Sequence, residues 1–349
     1  HSTVFSILIV MNKNIGAKNQ AKNIVFSKTD GFHAALNMIP SFILILSGNL
    51  TAGIAFALGT IPASQLGVAP NRKKRVIFSL ISCVFGLGII GGSLVLHNMS
   101  IWLAAIVFFI VAFLASVIAA KKPIGIVMLA FFLPALAVGY SYNPSVGLGL
   151  GLVFILGSLW SGMTSMLWPE SKIQNSTDGA KAFVSSNPKI YGVLLGLTAS
   201  VALVLGTNID PVFIGWTATS ALLIMRPLSG MVGLRGLART LSTILGTLLA
   251  IITVQLDLPV LVTALLVSLM MIFIIGTRLS RWYIVPMGTA FLILTLQLYE
   301  EQNINAIRQL GYSRILDNIL GAAIALFFGL LVPLLLMKFQ KKSSNKQVS

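Results

Sequence analysis

Long apolar runs recur along most of the chain, and they limit its fold more than any other feature. Each run approaches the roughly 17–25 residues that a helix needs to cross a hydrocarbon core about 30 Å thick. Of the 349 residues, 56% are hydrophobic and only 9% are charged, whereas a soluble domain has about 25% charged residues. Such a chain could not cover a water-exposed surface with polar side chains. We therefore predict an all-α polytopic membrane protein.

Hydropathy and helix-breaking residues divide the apolar runs into twelve predicted spans. The spans are 32–48, 50–66, 76–97, 101–119, 123–142, 145–168, 190–207, 211–226, 236–256, 259–277, 281–299 and 314–337. Residues 1–31 form a basic N-terminal arm, 169–189 a polar linker and 338–349 a basic tail. The first ten residues are too short to span a membrane and have no basic flank, so we do not interpret them as a signal peptide.

The distribution of charge predicts the orientation of these spans. If the N-terminus is cytoplasmic, every lysine and arginine except Arg308 and Arg314 falls on the cytoplasmic side. Five of the eight acidic residues fall on the opposite side, namely Asp210, Asp257, Glu300, Glu301 and Asp317. This is the asymmetry that the positive-inside rule describes. We therefore expect both termini in the cytoplasm and the protein in the inner (plasma) membrane.

Short matches between the two halves of the chain recur at a nearly constant spacing. Arg75 precedes the third span as Arg239, 164 residues later, precedes the ninth. Gly157 and Gly321 are separated by the same interval of 164 residues. Because six is an even number of spans, two such halves have the same topology and are related by an axis along the membrane normal. We predict two parallel six-helix repeats, residues 32–168 and 190–337.

Two motifs in the second half carry a family resemblance. A basic residue, Arg239, precedes a span that contains Gly246-Thr247, and Arg314, Asp317 and Gly321 give the final helix the pattern Arg-x-x-Asp-x-x-x-Gly. In these motifs the chain resembles the fusaric acid resistance (FUSC) family, which is related to bacterial aromatic acid exporters and, more distantly, to plant malate channels. The resemblance implies a secondary transporter that exports aromatic or other organic acids, driven by the proton gradient.

The candidate substrate-binding residues are arginines at cytoplasmic helix ends and a polar, aromatic stretch inside the eighth span. A guanidinium is always charged and matches a carboxylate bidentately, although arginines at such ends also meet anionic lipid at about 1 kcal/mol each. The indole and hydroxyls of the eighth span suit an aromatic ring with polar substituents, and core packing is the competing interpretation. The set comprises Arg239, Arg226, Arg75, Trp216, Thr217 and Thr219.

The candidate proton-coupling residues are Asp317 and Asp210. Asp317 is predicted one turn into the last helix, where a local pair with Arg314 is the simplest structural account. Asp210 precedes a proline and equally suits the N-cap of the eighth helix. No carboxylate is predicted near the middle of a span, where it would cost about 2.5–3.5 kcal/mol on insertion scales. We interpret His33 and His97, predicted at the inner and outer interfaces, as incidental.

Small residues inside the spans are predicted to pack helices closely, because lipid gives no hydrophobic drive for helix association. The positions are Gly246, Thr247, Gly321 and Gly157, together with Gly147, Gly149 and Gly151. A competing functional interpretation is that these helix faces slide during a conformational change.

The sequence also narrows the chemistry and the partners. It contains no Walker A, H-E-x-x-H or G-x-S-x-G motif, and its single cysteine allows no thiolate metal site, so we expect no enzyme, cofactor or metal. The net charge of +16 is spread over short loops rather than a basic domain, which argues against nucleic-acid binding.

The expected partners are a small organic acid and the lipid bilayer, and the protein is expected to be a pseudo-dimeric monomer or a homodimer. Alternatives are a passive organic-anion channel and a non-transporting scaffold for an envelope complex.

Overall fold

The computed structural model describes residues 25–170, 187–208, 214–225, 232–256, 258–278, 284–299 and 303–335. Within these ranges the backbone forms helices and no strand. The helices are α1 (Lys28–Leu46), α2 (Leu50–Leu66), α3 (Arg72–Leu96), α4 (Ile101–Ala119), α5 (Ile124–Tyr140), α6 (Pro144–Ser165), α7 (Pro188–Gly206), α8 (Gly215–Ile224), α9 (Val232–Gln255), α10 (Val260–Gly276), α11 (Val285–Leu298) and α12 (Ile304–Leu335).

Helix length and composition support the membrane prediction. Among the described residues, seven helices are long and apolar enough to cross a membrane, namely α1, α3, α4, α6, α7, α9 and α12. The other five are apolar but shorter, at 10–17 residues. Because seven potential spans are present in an all-helical chain, the protein is a polytopic membrane protein.

Asparagine caps fix where several helices begin. The side chains of Asn71, Asn143, Asn187 and Asn303 each accept a hydrogen bond from a backbone N–H in the first turn of α3, α6, α7 and α12, respectively. An N-cap oxygen satisfies one of the N–H groups that have no partner inside the helix. Pro144 and Pro188 then occupy the first helical position, where a missing N–H is harmless.

The cap at Asn303 corrects the predicted start of the last helix. α12 begins at Ile304 rather than at Arg314, because its polar first turns lower the local hydropathy without breaking the helix. Asp317 therefore lies about 20 Å along the axis from Ile304, near the middle of a 32-residue helix. The prediction that no carboxylate lies near the middle of a span is wrong.

The helices of the two halves pack in corresponding ways. In the first half, α6 packs against α2 and α3, and α3 packs against α5. In the second half, α12 packs against α8 and α9, and α9 packs against α11. Between the halves, α1 contacts α10 while α4 contacts α7, and α5 contacts α8 while α2 contacts α11. These four contacts between the halves thus form two reciprocal pairs.

Glycines mark the closest helix crossings. A Cβ on Gly157 of α6 would lie 2.6 Å from the carbonyl carbon of Gly59 on α2, closer than non-bonded carbon atoms can approach. A Cβ on Gly246 of α9 would lie 2.2 Å from a carbonyl oxygen of α11. Gly149 is different, because it is exposed and nothing lies within 4 Å of its Cβ position. Its grouping with the packing glycines is therefore wrong.

Comparing Gly157→Val with Gly149→Val should distinguish a loss of stability caused by helix packing from one caused by helix propensity. Gly157→Val forces α6 away from α2, and we expect it to destabilise the fold by about 1–3 kcal/mol, as overpacking does. Gly149→Val lies on the same helix and should leave stability unchanged. Thermal denaturation of the solubilised protein measures both. Equal melting temperatures for the two variants would contradict the described crossing.

Arg75 fastens the start of α3 to the end of α6. Its side chain is 3% exposed, and its Nε donates to the carbonyl oxygen of Ala69 at 2.6 Å. The terminal nitrogens donate to the carbonyl oxygens of Ser165 at 2.9 Å, Trp168 at 2.6 Å and Pro169 at 3.0 Å. These carbonyls lie at the C-terminal end of α6, where the helix dipole favours a cation. The geometry favours a structural role over substrate binding.

Replacing Arg75 should therefore lower the stability of the fold rather than impair substrate binding alone. Arg75→Gln leaves buried carbonyls without donors, and each costs about 1–3 kcal/mol, so we expect less protein in the membrane and a lower melting temperature. Lys73→Gln removes an exposed charge from the same segment and is the matched control. Normal abundance of the Arg75 variant with loss of transport would instead support the substrate-binding role predicted from sequence.

Candidate functional site

A cluster of buried polar side chains lies where α8, α9 and α12 meet. Every member is at most 6% exposed, and the members are Thr217 and Ser220 on α8, Thr243 on α9, and Arg314, Asp317 and Asn318 on α12. Gly321 makes this meeting possible, because a Cβ there would lie 2.7 Å from the carbonyl oxygen of Thr217 and 2.8 Å from the Cβ of Ser220. We call these six residues the α12 cluster.

Asn318 connects the three helices through one amide. Its Oδ1 accepts hydrogen bonds from the hydroxyls of Ser220 at 3.0 Å and Thr243 at 3.2 Å. Its Nδ2 donates to the carbonyl oxygen of Arg314 at 3.0 Å, one turn earlier on α12. Because a polar group buried in an apolar medium is costly unless it is hydrogen-bonded, these contacts hold α8 and α9 in register with α12.

Asp317 is the buried acid of the cluster. Its side chain is 1% exposed, and its Oδ1 accepts a hydrogen bond from the hydroxyl of Thr217. It lies three residues after Arg314, on the same face of α12. An ionisable residue inside a membrane helix is expensive and is by default a candidate for substrate or proton handling.

The guanidinium of Arg314 lies over the indole ring of Trp216. The guanidinium carbon is 3.5 Å from the ring centroid, and the two residues are 6% and 5% exposed, respectively. A desolvated cation–π contact contributes about 2 kcal/mol or more. The indole thus stabilises a fixed positive charge in the apolar interior.

Aromatic side chains of the first half complete the surroundings of Trp216. Phe85 of α3 and Phe154 of α6 stack with ring centroids 5.3 Å apart and planes 14° apart, and both pack in the same apolar cluster as Trp216. Tyr142, in the loop between α5 and α6, belongs to this cluster. Burial raises the pKa of Tyr142, while a hydrogen bond from Gln297 and the charge of Arg314 oppose the shift. The result is a cation and an acid bordered by aromatic rings.

The other predicted site residues lie elsewhere. The hydroxyl of Thr219 donates to the carbonyl of Gly215 at 2.8 Å and approaches that of Pro134 at 3.3 Å, so it is directed at the backbone. Arg239 is half-buried on α9, one turn before Thr243. Arg226 and Asp210 lie outside the described residues. Of the predicted set, the structure brings together Trp216, Thr217 and Asp317.

Sequence reasoning missed four members of the cluster. The sequence analysis does not single out Ser220, Thr243 or Asn318, and it gives Arg314 a place in the family motif and a local pair with Asp317 but no place in a substrate site. A signal was present, since Arg314, Asp317 and Asn318 are three or four residues apart and therefore share one helix face. Polar residues on one face of an otherwise apolar helix indicate a buried site rather than a helix end.

One comparison with known proteins found a match to part of the chain. Residues 197–328 match the family model described as fusaric acid resistance protein-like, and this segment contains every residue of the α12 cluster and Trp216. Searches of curated proteins and of solved structures found no match to the chain. The resemblance inferred from Arg239, Gly246-Thr247 and the Arg-x-x-Asp-x-x-x-Gly pattern is confirmed for the segment that matches.

Proposed function

We propose that the protein is a secondary transporter that exports aromatic or other organic acids across the inner membrane in exchange for protons. The observation that carries this proposal is the buried Arg314 guanidinium, which lies over Trp216 and one turn from the buried Asp317. The family match and the apolar helices support a role related to membrane transport. Such a role is non-enzymatic.

The pairing of a cation with aromatic rings suits an aromatic carboxylate. Arg314 can bind the carboxylate bidentately, and Trp216, Phe85 and Phe154 offer ring faces for the apolar part of the substrate. The α12 cluster is closed in this structure, since every member is at most 6% exposed. The transport cycle therefore includes states in which the halves separate around this site.

Asp317 is the acid of the α12 cluster that can carry the coupled proton. Its carboxylate accepts a hydrogen bond from Thr217 and lies one turn from Arg314 on the same helix face. An ionised carboxylate there repels an anionic substrate and competes with it for Arg314, so protonation of Asp317 and binding of the substrate affect each other.

The packing of the helices supports a two-repeat architecture with twelve spans. We assign α1–α6 to the first repeat and α7–α12 to the second, because the main contacts within the halves correspond and four contacts between them form reciprocal pairs. Trp216 of the second repeat lies in an apolar cluster against which Phe85 and Phe154 of the first also pack. The substrate site then lies between the repeats, as in transporters built from related halves.

Arg314→Gln tests the substrate site. We expect it to weaken binding of 4-hydroxybenzoate about ten- to a hundredfold, because a charge-assisted hydrogen bond contributes about 1.5–3 kcal/mol. Binding to purified protein is measured by tryptophan fluorescence and isothermal titration. Arg308→Gln removes an exposed arginine from the same helix and should bind normally. Wild-type affinity in a folded Arg314 variant would contradict the assignment.

Asp317→Asn tests the proton coupling. The amide keeps the size of the carboxylate and can still accept from Thr217, but it cannot take up a proton. In inverted vesicles with an acidified lumen, we expect the variant to exchange internal for external 4-hydroxybenzoate and to lose net accumulation. The control is Asp317→Glu, which restores a titratable carboxylate and should recover some accumulation. Full accumulation by the asparagine variant would show that Asp317 does not carry the coupled proton.

A further inference from the structure

A second cluster of buried polar side chains lies far from Arg314, where α1 begins and α6 ends. In the proposed orientation this end faces the cytoplasm. Every member is at most 6% exposed, and the members are His33 and Asn37 on α1, Ser64 on α2, and Ser161 and Thr164 on α6. The interpretation of His33 as an incidental interfacial residue is wrong, because its side chain is 2% exposed and hydrogen-bonded to α6.

The contact with α6 fixes the tautomer of His33. Its Nε2 lies 3.0 Å from the carbonyl oxygen of Ser161, and a carbonyl oxygen can only accept a hydrogen bond. Nε2 therefore carries a hydrogen. In the neutral ring Nδ1 is then a bare acceptor, and it is the atom at which the ring can take up a further proton.

A directed chain of hydrogen bonds holds this arrangement. Thr164 Oγ1 lies 3.1 Å from Nε2 of His33 and donates to Oδ1 of Asn37 at 2.5 Å. The amide nitrogen of Asn37 donates to the hydroxyls of Ser64 at 2.9 Å and Ser161 at 3.0 Å. The network occupies the Nε2 side of the ring and leaves Nδ1 to the other side.

Nδ1 is buried and has no hydrogen-bond partner among the described residues. His33 also lines a cavity of about 10 Å³ with Arg75, Ser79 and Ser165, which is room for about one water molecule. This cavity next to His33 provides a place from which a proton can arrive or to which it can leave.

Charged groups from three helices surround the ring. Asp30 precedes His33 by one turn on α1 and pairs with Nε of Arg278, which follows α10, at 2.9 Å. Arg75 approaches from α3 and lines the same cavity. Burial disfavours a protonated His33, as do Arg278 and Arg75, whereas the hydrogen bond to Ser161 and the charge of Asp30 favour it. An imidazolium at this position therefore depends on Asp30 as its nearby negative charge.

We propose that His33 is a proton-binding site, at which Nδ1 takes up a proton from the exchange pathway and releases it to the cytoplasm. The imidazole becomes imidazolium on uptake and returns to the neutral Nε2–H form on release, so no other reactant is needed. This role rests on the proposed function, since a proton that enters at Asp317 must leave on the opposite side. The two halves then differ in task, with substrate binding in the second and proton release in the first.

Nitrogen NMR of histidine tests the site without any transported substrate. The chain has three histidines, so a H1Q/H97Q variant labelled with [¹⁵N]histidine reports His33 alone. We expect the Nε2–H tautomer at high pH and conversion to imidazolium on acidification within the pH range in which the protein stays folded. A ring that stays neutral over this range, or that shows the Nδ1–H tautomer, would overturn the proposal.

Transport by the His33→Gln variant tests whether gradient-driven accumulation requires protonation of His33. Glutamine can still donate to the carbonyl of Ser161 but cannot be protonated, so we expect retained exchange of 4-hydroxybenzoate and at least a tenfold loss of gradient-driven accumulation in inverted vesicles. His97→Gln is the matched control, because the His97 ring lies just after α3 and bonds to the Tyr140 carbonyl, apart from the His33 cluster. Wild-type accumulation by His33→Gln would refute the role. Absence of flux in the wild type would count against the proposed function instead, and the NMR result would still decide the protonation of His33.

Discussion

Close approach between helix backbones is the constraint on which the rest of this structure depends. Lipid supplies no hydrophobic drive for helices to associate, so packing relies on small residues at the crossings. Gly157 lets α6 lie on α2, and Gly321 lets α12 lie between Thr217 and Ser220 of α8. The second crossing also builds the candidate site, because it brings the hydroxyl of Thr217 to Asp317. The crossing at Gly321 therefore both packs α12 against α8 and forms part of the candidate site.

Two clusters of buried polar side chains connect neighbouring helices. One is the α12 cluster, and the other surrounds His33 at the opposite repeat. A polar side chain in an apolar interior is retained at a cost in stability unless it is hydrogen-bonded. Asn318 in the first cluster and Asn37 in the second meet this requirement through hydroxyls of neighbouring helices. The proposed pathway uses both clusters.

Much of the architecture follows from local sequence. Apolar runs and breakers place the helices near their observed positions, since the length of a span and the composition of its loops are local properties. The Arg-x-x-Asp-x-x-x-Gly pattern of α12 and the position of Trp216 likewise pointed to residues that the structure brings together. These features need no knowledge of which helices are neighbours.

The remaining features depend on distant contacts or on helix faces. Hydropathy averages over a window, so it places the start of the last span at Arg314, whereas α12 begins at Ile304. His33 acquires its partners from α6, 128 residues away, which no local pattern reveals. Gly149 and Gly157 look alike in sequence, yet only the second faces α2. In each case the missing information is which face of a helix meets which neighbour.

The central claim is that this protein exchanges organic acids for protons, and the direction of accumulation tests it most directly. In inverted vesicles with an acidic lumen, a weak acid that crosses the lipid passively is excluded from the lumen, because its ionised form collects on the alkaline side. We predict that wild-type protein instead accumulates labelled 4-hydroxybenzoate inside, above the external concentration, and that collapsing the proton gradient abolishes the excess. Equilibration without accumulation would indicate a channel. Uptake no different from that of vesicles without the protein would contradict the account.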